Sequence, residues 1–278
     1  MTDKELTIKY TEICDNLAAR KLKPAFDLIE KLIAENNLGI YSDEYHNLEQ
    51  TYQYMLKYTV EGIKDPERQK IYRKLIVSAF ELADKVNEAL RMKYSSAVIY
   101  EKKRIFKDSS ITDAESFLTE VEEFYLNDEF KTLAEEKNHE VSAEVEEARK
   151  HQQKIKTLFY YIWFRDELNA DDVELIKRFI SSDLIMTSYK TFVIASLVMS
   201  LQRFFSEKKM NLLFGFYETD NATVNQMALV GLLLNLYRYD KRMPFYPEVN
   251  GRLKILNEVP GFKKNLERIV LQLIRSKE

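Results

Sequence analysis

The segment ASLVMSLQRF, from Ala195 to Phe204, returns 35 residues later as VGLLLNLYRY, from Val230 to Tyr239. Leucine stands at the third and seventh places of both segments, and arginine stands at the ninth. Most other places keep an apolar or small residue. Self-similarity at a fixed period of this length is typical of helical repeats. The two segments therefore predict equivalent apolar helices in one array.

The helices that precede these segments also align, at a shift of 37 residues. LIKRFISSD, from Leu175 to Asp183, lies over LLFGFYETD, from Leu212 to Asp220, with Leu, Phe and Asp matched. A helix, a turn that begins at Asp and a more apolar helix thus recur as one unit. We expect Leu197 and Leu232 to occupy equivalent buried positions in these units.

The turn DNATV, from Asp220 to Val224, followed by Ala228, resembles the inter-helix turn and second helix of a HEAT repeat. In that family an Asp opens the turn, a Val begins the second helix and a small residue allows the helices to pack closely. Asn225 stands where the family usually has Arg. The resemblance implies stacked helical hairpins that offer an extended surface to protein partners.

The N-terminal third also shows the pattern of helical hairpins. Between residues 4 and 20 one apolar stripe has spacings of four, three and four, formed by Leu6, Tyr10, Ile13 and Leu17. The next segment, LKPAFDLIEK from Leu22 to Lys31, resembles the second helix of a tetratricopeptide unit. Ala25 and Ile29 stand at that family's small and large positions.

The composition favours helices over strands. The 278 residues include only 6 Gly and 5 Pro, which the turns of a sheet protein would need in greater number. An apolar fraction of 45% and a charged fraction of 31% suit a folded protein with a helix-rich surface. We predict an all-α fold, a helical-repeat superhelix of stacked α–α hairpins.

The charge is distributed unevenly along the chain. Residues 1–112 carry a net charge of +1, residues 113–147 carry −11 and residues 148–278 carry +7. We predict three segments: N-terminal hairpins over 1–108, an acidic helical connector over 109–150 and a HEAT-like region over 151–278. The acidic block suggests either steering of a charged partner or an ordinary solvated helix face.

Within the acidic block, the apolar residues Phe117, Val121 and Phe124 fall on one helical face. We expect this face to pack inward. The acids should then face solvent or the basic side chains that follow residue 148, because thirteen acids within 35 residues repel one another.

No residue set predicts catalysis, a cofactor or a metal site, and we expect none of the three. Cys14 is the only cysteine, and a packed thiol on the first helix is favoured over a nucleophile. Glu136 and His139 have the spacing of one half of a di-iron carboxylate site. The nearest second pair, Asp43 and His46, has the wrong acid, so we predict that no metal binds at Glu136 and His139.

The tyrosines between residues 41 and 58 offer two interpretations. Tyr41, Tyr45 and Tyr52 share one helical face, and Tyr54 and Tyr58 share another. Core packing is favoured over an aromatic recognition groove, although Tyr is enriched at interfaces.

The C-terminal half is basic, and the segment YRYDKR, from Tyr237 to Arg242, sets bases beside aromatics. Nucleic acid requires a dense basic stripe. Bases alternate with acids here, so core aromatics with a solvated rim are favoured over a nucleic-acid interface.

The N-terminus lacks the basic, apolar and small-residue segments of a signal peptide, and the apolar run from Ala228 to Leu234 is shorter than the about 20 residues that cross a bilayer. We therefore expect a cytoplasmic protein without a membrane partner. The apolar helix from Leu266 to Ile274 has no capping repeat after it, so we expect a homodimer or a C-terminal continuation to cover it.

These features predict a non-catalytic protein–protein interaction or scaffolding module with unknown protein partners. The alternative is a helical regulatory part of a larger enzyme or nucleic-acid-binding protein whose active site lies outside this chain.

Overall fold

Helices form all the regular secondary structure in the computed structural model, which describes residues 1–60, 67–106, 111, 113–133 and 141–275. Those ranges contain no strand. The prediction of an all-α protein is therefore confirmed. Because an α-helix closes its own backbone hydrogen bonds, this chain has little need of the glycine- and proline-rich turns that connect strands.

The chain divides into two compact units. Unit 1 comprises Met1–Ile105 and Tyr239–Gly251. Its α-helices are α1 (Asp3–Ala18), α2 (Leu22–Glu35), α3 (Ser42–Val60), α4 (Arg68–Tyr94) and α5 (Val98–Ile105). Short 3₁₀ helices cover Gly39–Tyr41 and Asp240–Phe245.

The first hairpin of unit 1 forms where the apolar pattern predicts it. Thr2 caps α1 in a reciprocal pair with Glu5, which satisfies two of the free N–H groups at the helix start. Arg20 takes a left-handed φ of 61° in the turn before α2. The α1 stripe residues Leu6, Ile13 and Leu17 are buried, and α1 packs against both α2 and α4.

Unit 2 comprises Phe106–Arg238 and Arg252–Glu278. Its helices are α6 (Ala114–Leu133), α7 (Val141–Phe164), α8 (Ala170–Ser181), α9 (Thr187–Arg203), α10 (Glu207–Tyr217), α11 (Ala222–Arg238), the part of α12 (Pro247–Glu258) from Arg252 onward, and α13 (Phe262–Arg275).

The helices of unit 2 pack in two rows. In one row α6 contacts α8, and α8 contacts α10. In the other row α7 contacts α9, α9 contacts α11, and α11 contacts α13. Arg252 of α12 joins the first row, since its guanidinium donates to the carbonyl oxygen of Asn211 at 2.9 Å and lies over the ring of Phe214.

The sequence alignment of α9 with α11 matches their burial. Leu197 and Leu232 are both buried, as predicted, and so are the small residues that precede them, Ser196 and Gly231. A Cβ atom at position 231 would overlap Cγ2 of Val198. This close approach of α9 explains a glycine inside a helix, where glycine otherwise costs about 1 kcal/mol relative to alanine.

The apolar face of the acidic block packs inward, as predicted. Val121 and Phe117 are buried, and Phe124 is half-buried. Three acids of the described part of the block pair with bases that follow residue 148: Glu120 with Lys154, Glu115 with Arg178 at 3.4 Å, and Glu146 with Arg149 at 3.9 Å. Exposed pairs of this kind contribute little to stability, so they orient helices more than they stabilise them.

Several predicted features lie outside the described residues. They include the pair Glu136 and His139, and most of the boundary around residue 109. The division into three charge-based segments therefore stays a prediction, distinct from the two compact units. None of the helices in the described ranges has the length and apolar character needed to cross a bilayer.

Candidate functional site

A buried polar cluster in unit 1 involves Cys14. Arg242 donates to both carboxylate oxygens of Asp84, at 2.7 and 3.0 Å, and to the hydroxyl of Tyr10 at 2.9 Å. The Tyr10 hydroxyl donates to Asp84. Burial raises the pKa of the Cys14 thiol to about 11, so Cys14 remains protonated at neutral pH and is a poor nucleophile. This cluster joins α1, α4 and the 3₁₀ helix Asp240–Phe245.

The position of Arg242 corrects one expectation from the sequence. The segment from Tyr237 to Arg242 was interpreted as core aromatics with a solvated rim. Tyr239 is indeed buried, but Tyr237 is exposed and Arg242 is buried. Burial of the guanidinium is possible because Asp84 neutralises it and because Phe80 and Tyr239 place their rings within 5 Å of it.

A second buried polar cluster lies in unit 2, at the C-terminal end of α7. Lys209 donates to the carbonyl oxygens of Arg165 at 2.5 Å and Asp166 at 2.9 Å. Arg203 donates to the carbonyl oxygens of Trp163 and Phe164 and pairs with the Asp166 carboxylate. Cations at a helix C-terminus satisfy its free carbonyls and its dipole. These side chains complete the fold, and their arrangement does not resemble a catalytic centre.

The two histidines in the described ranges, His46 and His151, do not converge on a site. His151 is buried between aromatic rings, with the Phe124 ring stacked at 4.1 Å and the rings of Tyr125 and Tyr189 beside it. Burial, and secondarily the nearby Lys154 ammonium, lowers the pKa of His151. His46 is exposed on α3. Among the described residues, no three His, Cys, Asp or Glu side chains group so as to hold a metal ion.

The tyrosines of α3 divide between the core and the surface. Tyr45 is buried with its ring edge-on to Phe26 at 6.1 Å, and Tyr52 contacts the same ring at 5.7 Å. Core packing therefore accounts for these two residues. Tyr54 and Tyr58 are more than half exposed on the other face of α3, next to residues outside the described ranges.

A cavity of about 310 Å³ lies between the N-termini of α6 and α8. Its lining includes Asp113, Glu115, Asp171, Asp172 and Glu174, together with Arg178. The fold itself uses the buried carboxylate of Asp172, which accepts hydrogen bonds from the Tyr161 hydroxyl at 2.6 Å and the Asn169 amide at 2.8 Å. The other carboxylates form part of the solvated rim of the first helix row.

Apolar residues occupy the outward face of the second helix row. On α9 this face carries Phe192, Ala195 and Met199, and at a shift of 35 residues α11 carries Met227, Val230 and Leu234. Met199 and Leu234 are each 37% exposed, and Phe192 is 39% exposed. Equivalent outward positions are thus apolar on two neighbouring helices.

The second half of helix α13 continues this pattern at a shift of 37 residues from α11, whereas Met227 and Val230 align with Lys264 and Glu267. Leu234 aligns with Leu271, Tyr237 aligns with Ile274, and an arginine follows at position 275. All three aligned α13 residues are exposed, with Leu271 and Ile274 more than half exposed. We call the outward apolar residues of α9, α11 and α13 the outer stripe: Phe192, Met199, Leu234, Tyr237, Leu271 and Ile274.

The outer stripe is separate from the apolar faces that hold these helices together. Helix α13 packs inward through Phe262, whose ring lies 5.8 Å from that of Tyr217, and through the half-buried Leu266 and Ile269. Single exposed apolar residues are normal on any protein surface. A run of them at equivalent positions on adjacent helices is different, since contiguous exposed apolar patches mark interaction surfaces.

The rim of the outer stripe is positively charged. Together α9, α11 and α13 contain seven basic residues and one acidic residue, Glu267. Lys190 is buried and Arg203 is engaged with α7. The remaining basic residues of these helices are exposed: Arg238, Lys263, Lys264, Arg268 and Arg275.

Comparison with protein-family models, with curated proteins and with solved structures finds no match for this chain. The alignment of α9 with α11 follows from their buried positions and does not single out the outward ones. The available signal was the apolar character of Met199 and Leu234, because the outward positions of an amphipathic helix are normally polar.

Proposed function

We propose that this chain is a non-catalytic protein-binding module, and that unit 2 presents the outer stripe to a partner protein. The observation that carries this proposal is the exposed apolar position that three neighbouring helices share, at Met199, Leu234 and Leu271. Covering exposed apolar surface contributes about 25 cal/mol per Å² to binding before the costs of association. The stripe offers the partner Phe, Met, Leu, Tyr and Ile side chains.

The residue types suit recognition of a protein. Tyr237 is 84% exposed, and Tyr is enriched among the residues that dominate binding energy. Met199 is flexible and polarisable, so it adapts to the shape of a partner side chain. Phe192 is held in place by a stacked contact with Phe159 at 4.2 Å, which preorganises one end of the stripe.

The finer description of the fold, a helical-repeat superhelix, is part of this proposal. The two rows of helices in unit 2, together with the alignments of α8 with α10 and of α9 with α11, support an array of stacked hairpins. Repeat arrays of this kind bind partners along one face of the stack. The resemblance of the α10–α11 turn to a HEAT repeat agrees with this arrangement.

A regulatory role within a larger enzyme or nucleic-acid-binding protein remains the second candidate. The exposed basic residues of α13 favour a nucleic-acid-binding role, because they would attract the phosphates of a nucleic acid. The residues between them are mainly aliphatic, however, and single-stranded nucleic acid is bound on stacking aromatic side chains. For the location we propose the cytoplasm, where a lone free cysteine such as Cys14 stays reduced.

The proposal is tested by placing charges in the stripe. The Met199→Glu, Leu234→Glu double variant puts carboxylates on two neighbouring helices, and both sites are outward, so the fold should be retained. Cross-linking followed by mass spectrometry in a lysate of the source cells should show proteins that the unmodified chain captures and the double variant loses. Circular dichroism verifies that the variant is folded.

The control is Met186→Glu, which changes a methionine that is more exposed than Met199 and lies at the N-cap of α9. This variant should capture the same proteins as the unmodified chain. If the folded double variant also captures the same proteins, the outer stripe is not the binding surface and the proposal is wrong.

A further inference from the structure

We infer that the outer stripe binds an acidic amphipathic α-helix of a partner protein, laid across α9, α11 and α13. This inference rests on the proposed function, and it adds the chemistry and shape of the partner. Three properties of the described residues support it: the spacing of the apolar side chains, the charge of the rim and the close packing of α9 against α11.

The spacing of the stripe fits one helix. Packed helices lie 8–10 Å apart, so three neighbouring helices present apolar side chains over roughly 20 Å. A helix rises 1.5 Å per residue, and about 13 residues span that distance. Apolar residues at i, i+7 and i+14 of a partner helix are about 10.5 Å apart, and they would reach Met199, Leu234 and Leu271 in turn.

The charge of the rim selects for carboxylates. Lys264, Arg268 and Arg275 are exposed on α13, with Glu267 the single acid of the three helices. Acidic residues flanking the apolar face of the partner would meet these bases at the rim. Charges at the rim mainly raise the association rate and fix the orientation of the partner, whereas the apolar contacts supply most of the affinity.

The same charges disfavour a second copy of this chain as the occupant. A symmetric contact that joined α13 to α13 would bring Arg268 and Arg275 of one copy towards those of the other, and like charges at an interface are destabilising.

The geometry of the outer stripe disfavours a lipid surface as the occupant. A helix that lies on a membrane presents an apolar face along its own length, whereas the outer stripe crosses three helices that pack against one another.

Close packing and a hydrogen bond hold two helices of the stripe, α9 and α11, against each other. Gly231 allows α11 to approach Val198 of α9 closely, and the Asn235 side chain accepts a hydrogen bond from Gln202 at 2.8 Å, which also ties these two helices. A preorganised surface loses little conformational entropy on binding, so a short helical peptide should bind measurably.

The test uses two synthetic helical peptides of about 18 residues, labelled with fluorescein. Both carry leucine at i, i+3, i+4 and i+7 repeats, and the remaining positions are mostly glutamate in one and mostly lysine in the other. Fluorescence anisotropy with the full chain should give a Kd at least roughly tenfold lower for the glutamate peptide at low salt. The difference should shrink at about 1 M salt, where the Debye length is about 3 Å.

Variants of the full chain separate charge from apolar contact. Arg268→Glu with Arg275→Glu should weaken the glutamate peptide about tenfold and should not weaken the lysine peptide. The control, Arg149→Glu with Lys177→Glu, changes exposed bases of α7 and α8 and should leave both peptides unaffected. Met199→Glu with Leu234→Glu should abolish binding of either peptide.

Other outcomes overturn the inference in distinguishable ways. Equal affinity for both peptides, lost in the Met199→Glu, Leu234→Glu variant, would remove the acidic specificity and leave the proposed function intact. A dimer of the chain alone that Leu234→Glu dissociates in sedimentation would make a second copy the occupant. Binding to phosphatidylserine vesicles but to neither peptide would make it a lipid surface. Binding of neither peptide, with cross-linking unchanged in the stripe variant, would overturn the proposed function as well.

Discussion

The two units of this protein are stabilised in different ways. Unit 1 depends on a polar contact between residues far apart in the chain, because Arg242 and Asp84 are separated by 158 positions. The helix row of unit 2 depends on apolar contacts between helices that are near neighbours in sequence, such as α9 and α11, and its buried cations Arg203 and Lys209 bind groups within 44 positions. Local contacts of the second kind leave a periodic pattern in the sequence, whereas a single distant ion pair leaves none.

The buried ion pair of unit 1 and the apolar contacts of unit 2 also differ in free energy. Moving a guanidinium and a carboxylate out of water costs several kcal/mol for each group, and the pair regains this only if both are present with good geometry. The apolar contacts of unit 2 carry no such cost, and each contributes independently. Unit 1 should therefore respond sharply to the loss of one charge, and unit 2 should respond in proportion to the apolar volume that is removed.

The largest effect is expected at the buried ion pair. Arg242→Ala leaves the Asp84 carboxylate buried without its partner and should lower the free energy of unfolding by about 3–5 kcal/mol, measured by urea denaturation. Hydrogen exchange should rise first in α1 and α4, which the cluster joins.

Two further variants serve as controls for this prediction. Lys241→Ala removes the adjacent, exposed pair with Asp15 and should barely move the urea midpoint, because water screens that pair. Arg242→Met combined with Asp84→Leu removes both charges and should recover most of the lost stability. If Arg242→Ala were as mild as Lys241→Ala, unit 1 would not depend on the ion pair.

The next effect is expected inside the helix row of unit 2. Leu197→Ala and Leu232→Ala each empty a fully buried position and should each cost about 2–5 kcal/mol of unfolding free energy in the same assay. Similar losses at the two sites are expected because the two leucines align in sequence and are equally buried. Met199→Ala, on the outward face of α9, should cost far less. A large loss at only one of the two leucines would contradict the equivalence of α9 and α11.

A smaller effect is expected at the close approach of α9 and α11. Gly231→Ala places a methyl group against Val198 and should destabilise the protein by about 1–3 kcal/mol. The matched control is Gly215→Ala in α10, where a Cβ meets open space. There the helix preference of alanine should raise stability by roughly 0.5–1 kcal/mol. Thermal unfolding of the two variants should therefore shift in opposite directions.

The smallest effect is expected from His151, because a single titration is involved. Burial lowers the pKa of His151 in the folded state, so the unfolded chain binds the proton first as the pH falls. The neutral ring therefore makes its full contribution to the free energy of unfolding above the unfolded-state pKa of about 6.5. That contribution decreases as the pH falls below this value. His151→Phe should flatten this part of the stability profile between pH 7 and pH 5, measured by urea denaturation.

The comparison of this variant with the unmodified chain at pH 8 isolates the packing difference, since His151 is neutral there in both states. Only the additional difference that develops below pH 6.5 reports the titration. If the two profiles stay parallel down to pH 5, the ring among Phe124, Tyr125 and Tyr189 takes up a proton without loss of stability.

Much of the helical framework could be predicted from the sequence. The stripe of Leu6, Ile13 and Leu17, and the buried Leu197 and Leu232, follow from a 3.6-residue period that needs no knowledge of the partner helices. The outer stripe could be predicted from the sequence only in part. Its residues repeat with the same period as the core residues, and an alignment of one sequence with itself does not show which face another helix will cover.

The sequence by itself determined that this protein is all-α, that α9 and α11 bury Leu197 and Leu232 and that the acidic block buries Val121, because these features depend on local hydrogen bonding and apolar periodicity. Only the tertiary structure decided that Arg242 is buried and Tyr237 is exposed, which reverses what their side-chain chemistry suggests. The physical reason is that burial of a charge depends on a partner supplied by a distant part of the chain, here Asp84 on α4. A side chain becomes part of a surface or a core only when the neighbouring helices are in place.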